Sequence, residues 1–193
     1  MDKPWRSAIF KSPVAGPVAL IAMGLEGDAQ ADRRHHGGLD MAVLACSADR
    51  LAAWREELDR DDIGPGAFGE NLTVAGLDEA TVCIGDRFAI GPARLEVSQP
   101  RVPCWKLDRR WRMTDLSARV DAKIAGGWYL RVLEEGRIEA GMAVKLIERP
   151  HPEWTVARAY AMRRAKGRDL EAAARLAAVA ALAPQWRESL GVT

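Results

Sequence analysis

The sequence has few of the side chains from which metal and redox sites are usually built. Its 193 residues include three cysteines and three histidines. No two cysteines form a Cys-x-x-Cys pair, which argues against a structural zinc site and against a thioredoxin-like redox centre. An odd number of cysteines is typical of a reducing compartment, where free thiols persist. The question is therefore which of Cys46, Cys83 and Cys104, if any, has a chemical role.

Long apolar runs and an excess of one charge are also missing. The longest uncharged apolar stretch, residues 176–183, is far shorter than the roughly 20 residues of a membrane-spanning helix. The N-terminal segment 1–12 mixes both charges and does not resemble a secretory signal. A formal net charge of +1 argues against a dedicated polyelectrolyte binder. With 48% hydrophobic and 28% charged residues, we expect a soluble, cytoplasmic globular protein without a membrane partner.

Short apolar runs, many of them alternating, are separated by glycine or proline through most of the chain, which predicts many short strands. The predicted strands are 7–10, 17–22, 42–46, 72–74, 87–90, 94–98, 128–133 and 143–147. Two helical patterns interrupt them, one around Trp54 and one around Val120. We therefore predict a mainly β fold, a β-barrel with helical insertions, rather than a doubly wound parallel sheet.

The pattern changes after Pro150. A linker is followed by three short helical patterns, the second of which is rich in alanine and has Asp169 as its predicted N-cap. Such a short segment can hardly bury a core of its own, so we expect it to pack on the barrel. The predicted domains are a barrel over residues 1–150 and a three-helix domain over residues 151–193.

Two glycine-containing segments resemble a nucleotide-binding motif and a metal site, but the residues around them argue against both functions. Residues 64–69 match the letters of a dinucleotide-binding motif, but a polar segment precedes them and a strand pattern follows, so we interpret them as a loop. His35 and His36 precede two glycines, and adjacent side chains on a strand point to opposite faces. The pair is therefore poorly suited to one metal ion, although one imidazole could face a pocket.

The segment 98–107 is the most informative. A strand is expected to end near Ser98, two prolines follow, and a helical pattern begins at Cys104. A helix N-terminus and the neighbouring cations Arg101 and Lys106 favour the thiolate, the form that attacks a substrate or binds a soft metal. An inert cysteine packed beside Trp105 is the open alternative. Cys46 and Cys83 lie in apolar surroundings and are predicted to be core thiols.

Five short motifs, taken in order, resemble the MOSC family, the domain related to the C-terminal part of molybdenum cofactor sulfurase. The motifs are Gly24-Leu25-Glu26-Gly27-Asp28, His36-Gly37-Gly38, Phe68-Gly69-Glu70-Asn71-Leu72, Ile84-Gly85-Asp86, and Gln99-Pro100-Arg101 continued by Pro103-Cys104. The similarity is greatest to the stand-alone YiiM-like branch, which also ends in a three-helix domain. Met41 departs from the family, because many members have a basic residue at this point.

The resemblance implies a MOSC-type β-barrel that binds a molybdenum cofactor (molybdopterin). Cys104 matches the cysteine that holds molybdenum through sulfur, and it is our candidate both as metal ligand and as catalytic residue. His36 and Asn71 are the other candidate catalytic residues, since they offer neutral hydrogen bonds. The cofactor carries a phosphate, for which Arg33, Arg101 and Lys106 are the candidate cofactor-binding cations.

The implied activity is reduction of N-hydroxylated compounds, such as 6-hydroxylaminopurine and related base analogues, to amines. The chain has no flavin or nicotinamide motif, so we expect an external electron-donor reductase as partner. A carrier of the cofactor or of its sulfur, without turnover, is the alternative function. A nucleic-acid module is less favoured and would use the basic cluster formed by Arg163, Arg164, Lys166 and Arg168. The oligomeric state is open, with a homodimer as one option.

Overall fold

The computed structural model describes Trp5 and residues 7–28, 37–165 and 167–192. The strands in these ranges are β1 (Val18–Ile21), β2 (Gly24–Leu25), β3 (Val43–Ser47), β4 (Leu72–Val74), β5 (Arg87–Ile90), β6 (Ala93–Pro100), β7 (Trp128–Glu134), β8 (Gly136–Ile138) and β9 (Val144–Glu148). The α-helices are α1 (Ala48–Glu57), α2 (Trp105–Trp111), α3 (Leu116–Lys123), α4 (Val156–Ala165), α5 (Leu170–Ala177) and α6 (Pro184–Glu188). None of the helices in these ranges is long and apolar enough to cross a membrane.

Six strands form a mixed sheet in the order β4-β3-β7-β6-β5-β9, which curls into a half-barrel. A smaller sheet, β2-β1-β8, contacts β6 and β7. Only the β3–β4 pair is parallel among the described pairs. The predicted barrel is therefore found in part, as a curled sheet.

The prediction of a mainly β fold overstates the strand content. The six α-helices contain more residues than the nine strands that the structure describes. Helix α1 shows why these segments are helical. Ser47 caps it by accepting a hydrogen bond from the Arg50 amide, and Leu51 and Trp54 form a buried stripe that packs in an apolar cluster with Phe68 and Val120.

The strand predictions need correction at three places. The predicted strand 7–10 is a turn, in which Ile9 is buried in an apolar cluster and its carbonyl accepts a hydrogen bond from Arg110. Strands β2 and β8 were not predicted; they have two and three residues, and each pairs antiparallel with β1. The turn at 7–10 and strand β8 depend on contacts between distant parts of the chain, which a local pattern does not record.

The three C-terminal helices form and pack on the sheet, as predicted. Leu176 and Leu182 are completely buried in the same apolar core as Leu95 and Val97 of β6. The contact includes a backbone hydrogen bond of 2.9 Å from the Ala183 amide to the Ser98 carbonyl. The predicted N-cap of α5 is also found, since the Asp169 carboxylate accepts a hydrogen bond from the Ala172 amide. The division into domains at residue 150 stays a prediction.

Candidate functional site

A cleft with a volume of about 100 Å³ opens at the start of α2, beside the ends of β3, β6 and β7. Its walls also include the segments 7–11 and 68–71. Both polar and apolar side chains line it: Ser7, Ala8, Ile9, Lys11, Asp28, Met41, Ala42, Leu44, Phe68, Gly69, Asn71, Arg101, Val102, Cys104, Lys106 and Tyr129. Four of the six predicted site residues, Cys104, Asn71, Arg101 and Lys106, therefore meet in one cleft. The other two, Arg33 and His36, lie outside the described residues.

Cys104 is the N-cap residue of α2 and has an extended backbone (φ −135°, ψ 167°). Its carbonyl begins the helix by accepting a hydrogen bond of 2.9 Å from the Leu107 amide. Within the part of the chain that the structure describes, its side chain makes no capping bond to the helix. The thiol is half-buried and lines the cleft, so it is available to a ligand there.

Arg101 is a buried cation held by backbone carbonyls. Its guanidinium donates hydrogen bonds to the Phe68 carbonyl (3.0 Å) and the Gly126 carbonyl (3.3 Å), and its own amide donates to the Gly127 carbonyl (3.0 Å). Across the described ranges, no carboxylate forms an ion pair with it. A buried, positioned positive charge at the wall of a cleft is suited to an anionic ligand.

Asn71 connects three parts of the cleft. Its side-chain oxygen accepts a hydrogen bond of 2.9 Å from the Leu44 backbone amide, and the backbone amide of Asn71 donates to the Leu44 carbonyl. The side-chain nitrogen donates to Asp28 at 2.6 Å. Asp28 also pairs with Lys11. The side chain of Asn71 therefore holds β3 and Asp28 in place at the cleft.

The loop 64–69 is not a nucleotide-binding turn, in agreement with its interpretation from the sequence. Buried Glu70 accepts hydrogen bonds from the amides of Gly66 (2.6 Å) and Phe68 (2.9 Å) and from the Thr73 hydroxyl (3.0 Å). These bonds fix the loop so that the Phe68 carbonyl faces Arg101. Glu70 belongs to the motif Phe68-Gly69-Glu70-Asn71-Leu72, but its role was not predicted from the sequence.

Tyr129 is one of the cleft residues that were not predicted from the sequence. It lies on β7 between Trp128 and Leu130, both of which are buried in the core. Because side chains alternate along a strand, Tyr129 faces the opposite side, where the cleft is. Burial raises the pKa of its phenol, the positive charge of Arg101 opposes the rise, and Cys104 and Cys46 add to it. The alternation was the signal that could have identified it.

The two other cysteines are buried core residues, as predicted. Burial raises the pKa of both thiols, which disfavours the reactive thiolate. Among the described residues, no group of three histidine, cysteine, aspartate or glutamate side chains could hold a metal ion by itself. Cys104 is therefore the accessible thiol of the described chain.

The basic cluster near the C-terminus is partly engaged within the protein. The Arg163 guanidinium lies 5.2 Å from the ring centroid of Trp186, and Arg164 donates to the Asp121 carbonyl at 3.2 Å. Lys166 lies outside the described residues. These contacts do not favour a nucleic-acid surface at the cluster.

Comparisons with known proteins identify the class. The MOSC domain family model matches residues 32–145, so the chain belongs to the MOSC family. The model of the YiiM-like, 3-alpha helix domain matches residues 154–191, which places the chain in the YiiM-like branch. The crystal structure of YiiM from Geobacillus stearothermophilus superposes with a TM-score of 0.85 at 34% identity, covering 96% of this chain and 89% of that one.

Two curated relatives are similar over most of this chain. YflK of Bacillus subtilis (strain 168) is 40% identical over 187 residues, covering 97% of this chain and 84% of YflK. A protein of Gibberella moniliformis (strain M3125 / FGSC 7600) named Reductase is 40% identical over 153 residues, covering 78% of this chain but 27% of that protein.

Proposed function

We propose that this protein is a molybdenum-cofactor-dependent reductase that converts N-hydroxylated compounds, such as 6-hydroxylaminopurine, to amines. One observation carries the proposal: a half-buried cysteine thiol, Cys104, lines the same cleft as the buried cation Arg101. Membership of a family associated with molybdenum cofactor binding, and similarity to a protein named Reductase, support the class of chemistry.

The residues present fit the cofactor. A metal that arrives with its own organic ligand needs few protein donors, and Cys104 offers the soft sulfur that suits such a metal. Arg101 and Lys106 line the cleft and would bind the phosphate of the cofactor. Arg33 would add a further cation. Met41 also lines the cleft, so this protein has a neutral side chain where many family members have a basic one.

The net reaction consumes two electrons and two protons: R–NHOH + 2e⁻ + 2H⁺ gives R–NH₂ + H₂O. When bound, the cofactor supplies the two-electron chemistry at the metal, and the protein binds and orients it. Cys104 would hold the metal, and Asn71 keeps Asp28 and β3 in position beside it. His36 is a third proposed catalytic residue. The electrons come from a separate reductase protein, and the cytoplasm is the proposed location.

The proposal is tested by Cys104→Ser, made in a host that synthesises molybdenum cofactor. We expect loss of bound molybdenum and of N-reductive activity measured with an artificial electron donor, because a serine hydroxyl is a poor soft-metal ligand. Cys83→Ser is the matched control, since Cys83 is buried beside the Pro152 carbonyl and outside the cleft. Full molybdenum content and activity in Cys104→Ser would refute the assignment.

The same experiment separates an enzyme from a carrier. A carrier of the cofactor or its sulfur would lose molybdenum in Cys104→Ser, yet the wild-type protein would not turn over hydroxylamino substrates with the artificial donor. Turnover by the wild-type protein excludes this alternative.

A further inference from the structure

Three aromatic side chains lie together at the start of α2, beside the candidate site. They are Trp5, Phe10 and Trp105, and we call them the aromatic patch. The Trp5 ring centroid lies 5.5 Å from that of Phe10 and 5.6 Å from that of Trp105. Phe10 is 56% exposed and Trp105 is 55% exposed. Single exposed apolar side chains are common on proteins, whereas a contiguous group of large ones is typical of an interaction surface.

Two arginines of α2 border the aromatic patch. The Arg109 guanidinium lies 4.9 Å from the ring centroid of Trp5 and 6.0 Å from that of Trp105. The Arg110 guanidinium lies 5.6 Å from the ring centroid of Phe10. Both charges are therefore held against the rings. Because tryptophan and arginine often dominate the binding energy of protein–protein interfaces, this combination fits a protein partner.

The segment that carries Trp105 and both arginines is strongly basic. Residues 101–112 contain five basic side chains and one acidic side chain, a balance of +4, whereas the whole chain has a net charge of +1. The rest of the chain therefore has a net charge of −3. The acidic residue of the segment, Asp108, is engaged within the protein, since its carboxylate accepts hydrogen bonds from the amide (2.5 Å) and the hydroxyl (2.6 Å) of Ser117. A basic region on an otherwise acidic chain favours a partner of negative charge.

We infer that the aromatic patch and its two arginines are the docking surface for an electron-donor protein with an acidic face. The inference rests on the proposed function, which requires electrons from a separate protein. Trp105 follows Cys104 directly, at the first position of α2. A protein seated on the aromatic patch therefore lies beside the residue that would hold the metal. An acidic electron carrier matches this surface both in charge and in apolar contact.

The electron balance favours a contact that forms and breaks easily. Each encounter oxidises a one-electron carrier by one electron, and two encounters supply the two electrons that convert R–NHOH to R–NH₂ and water. Both protons come from solvent. The oxidised carrier must leave before the next one binds, so the interface should be small and sensitive to salt, as electron-transfer contacts are. A surface made of a few rings and two arginines is suited to such a contact.

The first test measures binding of two purified acidic carriers, a flavodoxin and a plant-type ferredoxin, to the cofactor-loaded protein by titration calorimetry. At low ionic strength we expect at least one carrier to bind the wild-type protein. Trp105→Ala and Arg109→Glu should each raise its Kd by about 10-fold or more, the range for residues that dominate an interface. The effect of Arg109→Glu should shrink as salt is added. Leu170→Ala and Arg175→Glu, at exposed positions on α5, are the matched controls.

The second test separates docking from the reaction. With subsaturating reduced carrier as donor, Trp105→Ala and Arg109→Glu should reduce 6-hydroxylaminopurine about 10-fold more slowly than the wild-type protein. With reduced methyl viologen, a small donor that needs no docking surface, both variants should react at the wild-type rate.

Three results would overturn the docking surface: binding of neither carrier to the wild-type protein, an unchanged Kd in Trp105→Ala or Arg109→Glu, or an equal loss of turnover with the carrier and with methyl viologen. If the wild-type protein does not reduce 6-hydroxylaminopurine with methyl viologen, the proposed function fails. The titration still shows in that case whether the aromatic patch binds an acidic carrier, so the two failures are distinguishable.

Discussion

At the scale of single residues, buried Glu79 stands out because only half of its carboxylate is bonded. One oxygen accepts a hydrogen bond of 2.8 Å from the Gly127 amide. The other is buried and, among the described residues, makes no hydrogen bond; Arg50 Nε lies 3.6 Å from it. Burial raises the pKa of Glu79, against the opposing effects of backbone hydrogen bonds and Arg50. The ionised side chain is therefore a source of instability.

The pH dependence of stability should reveal this carboxyl. The pKa of Glu79 is higher in the folded than in the unfolded state. At pH values above the unfolded pKa of about 4.3, the folded protein therefore binds more protons at this site than the unfolded chain does. The free energy of unfolding must then fall as the pH rises through this window. Glu79→Gln should flatten the fall, measured by urea unfolding at several pH values. Exposed Glu139→Gln is the control, and an unchanged slope in Glu79→Gln would contradict the explanation.

A site residue could be predicted where the features that position it are close to it in the sequence, and could not be predicted where distant segments position it. Cys104 was correctly placed at a helix start because the prolines before it and the apolar spacing after it are adjacent in sequence. Tyr129 was missed because the cleft that it faces is formed by segments far apart in the chain, although the alternation along β7 already separated its side from that of Trp128 and Leu130. Glu70 was quoted without a role, because its partners are the backbone amides of a loop and leave no pattern in side-chain type.

At the scale of elements, the start of β7 shows a backbone approach that glycine alone permits. Gly127 has φ +88°, and a Cβ atom there would lie 2.1 Å from the Ala45 carbonyl oxygen and 2.7 Å from Cys46 Sγ. Its carbonyl also accepts the Arg101 amide. The strand that follows could be predicted from the sequence but this contact could not, since β3 and β7 come together only in the folded sheet.

Gly127→Ala should therefore be much more damaging than an alanine at a glycine in open space. Gly141 is the matched control, because it has nearly the same φ (+89°) and a Cβ atom added there would have no neighbour within 4 Å. Both variants share the strain of a positive φ, so the difference isolates the clash with β3. We expect Gly127→Ala to lose about 1–3 kcal/mol more in urea unfolding, the range for overpacking. Equal losses would show that β3 moves aside without cost.

The helices α3 and α4 are joined by polar contacts that centre on Asp121. The Tyr160 hydroxyl, on a side chain that is 2% exposed, donates to the Asp121 carboxylate, and Arg164 donates to the Asp121 carbonyl. Because Asp121 is partly exposed, we expect Tyr160→Phe to lower the free energy of unfolding by only about 1 kcal/mol. Urea unfolding measures this free energy. Adding Asp121→Asn to the Tyr160→Phe variant should lower it little further. Independent, additive losses would show that the two side chains do not interact.

At the scale of the whole molecule, the barrel and the C-terminal helices have one apolar core. Trp154, Tyr160, Leu176 and Trp186 belong to the same buried cluster as the inner face of the sheet. The change in sequence character after Pro150 correctly predicted three helices packed on the barrel. It could not predict a shared core, because the contacts join residues far apart in the chain, as Ala183 and Ser98 do.

A shared core means that α5 and β6 should unfold together. Leu176 on α5 is completely buried, whereas Leu170 on the same helix is 61% exposed. Leu176→Ala should lower the free energy of unfolding by about 2–5 kcal/mol, and Leu170→Ala should change it little. In native-state hydrogen exchange, Leu176→Ala should lower the protection of backbone amides equally in α5 and in β6, because a single cooperative unit exchanges through global unfolding. If Leu176→Ala lowered protection in α5 alone, the helices would open as a separate domain, as the predicted boundary at residue 150 allows.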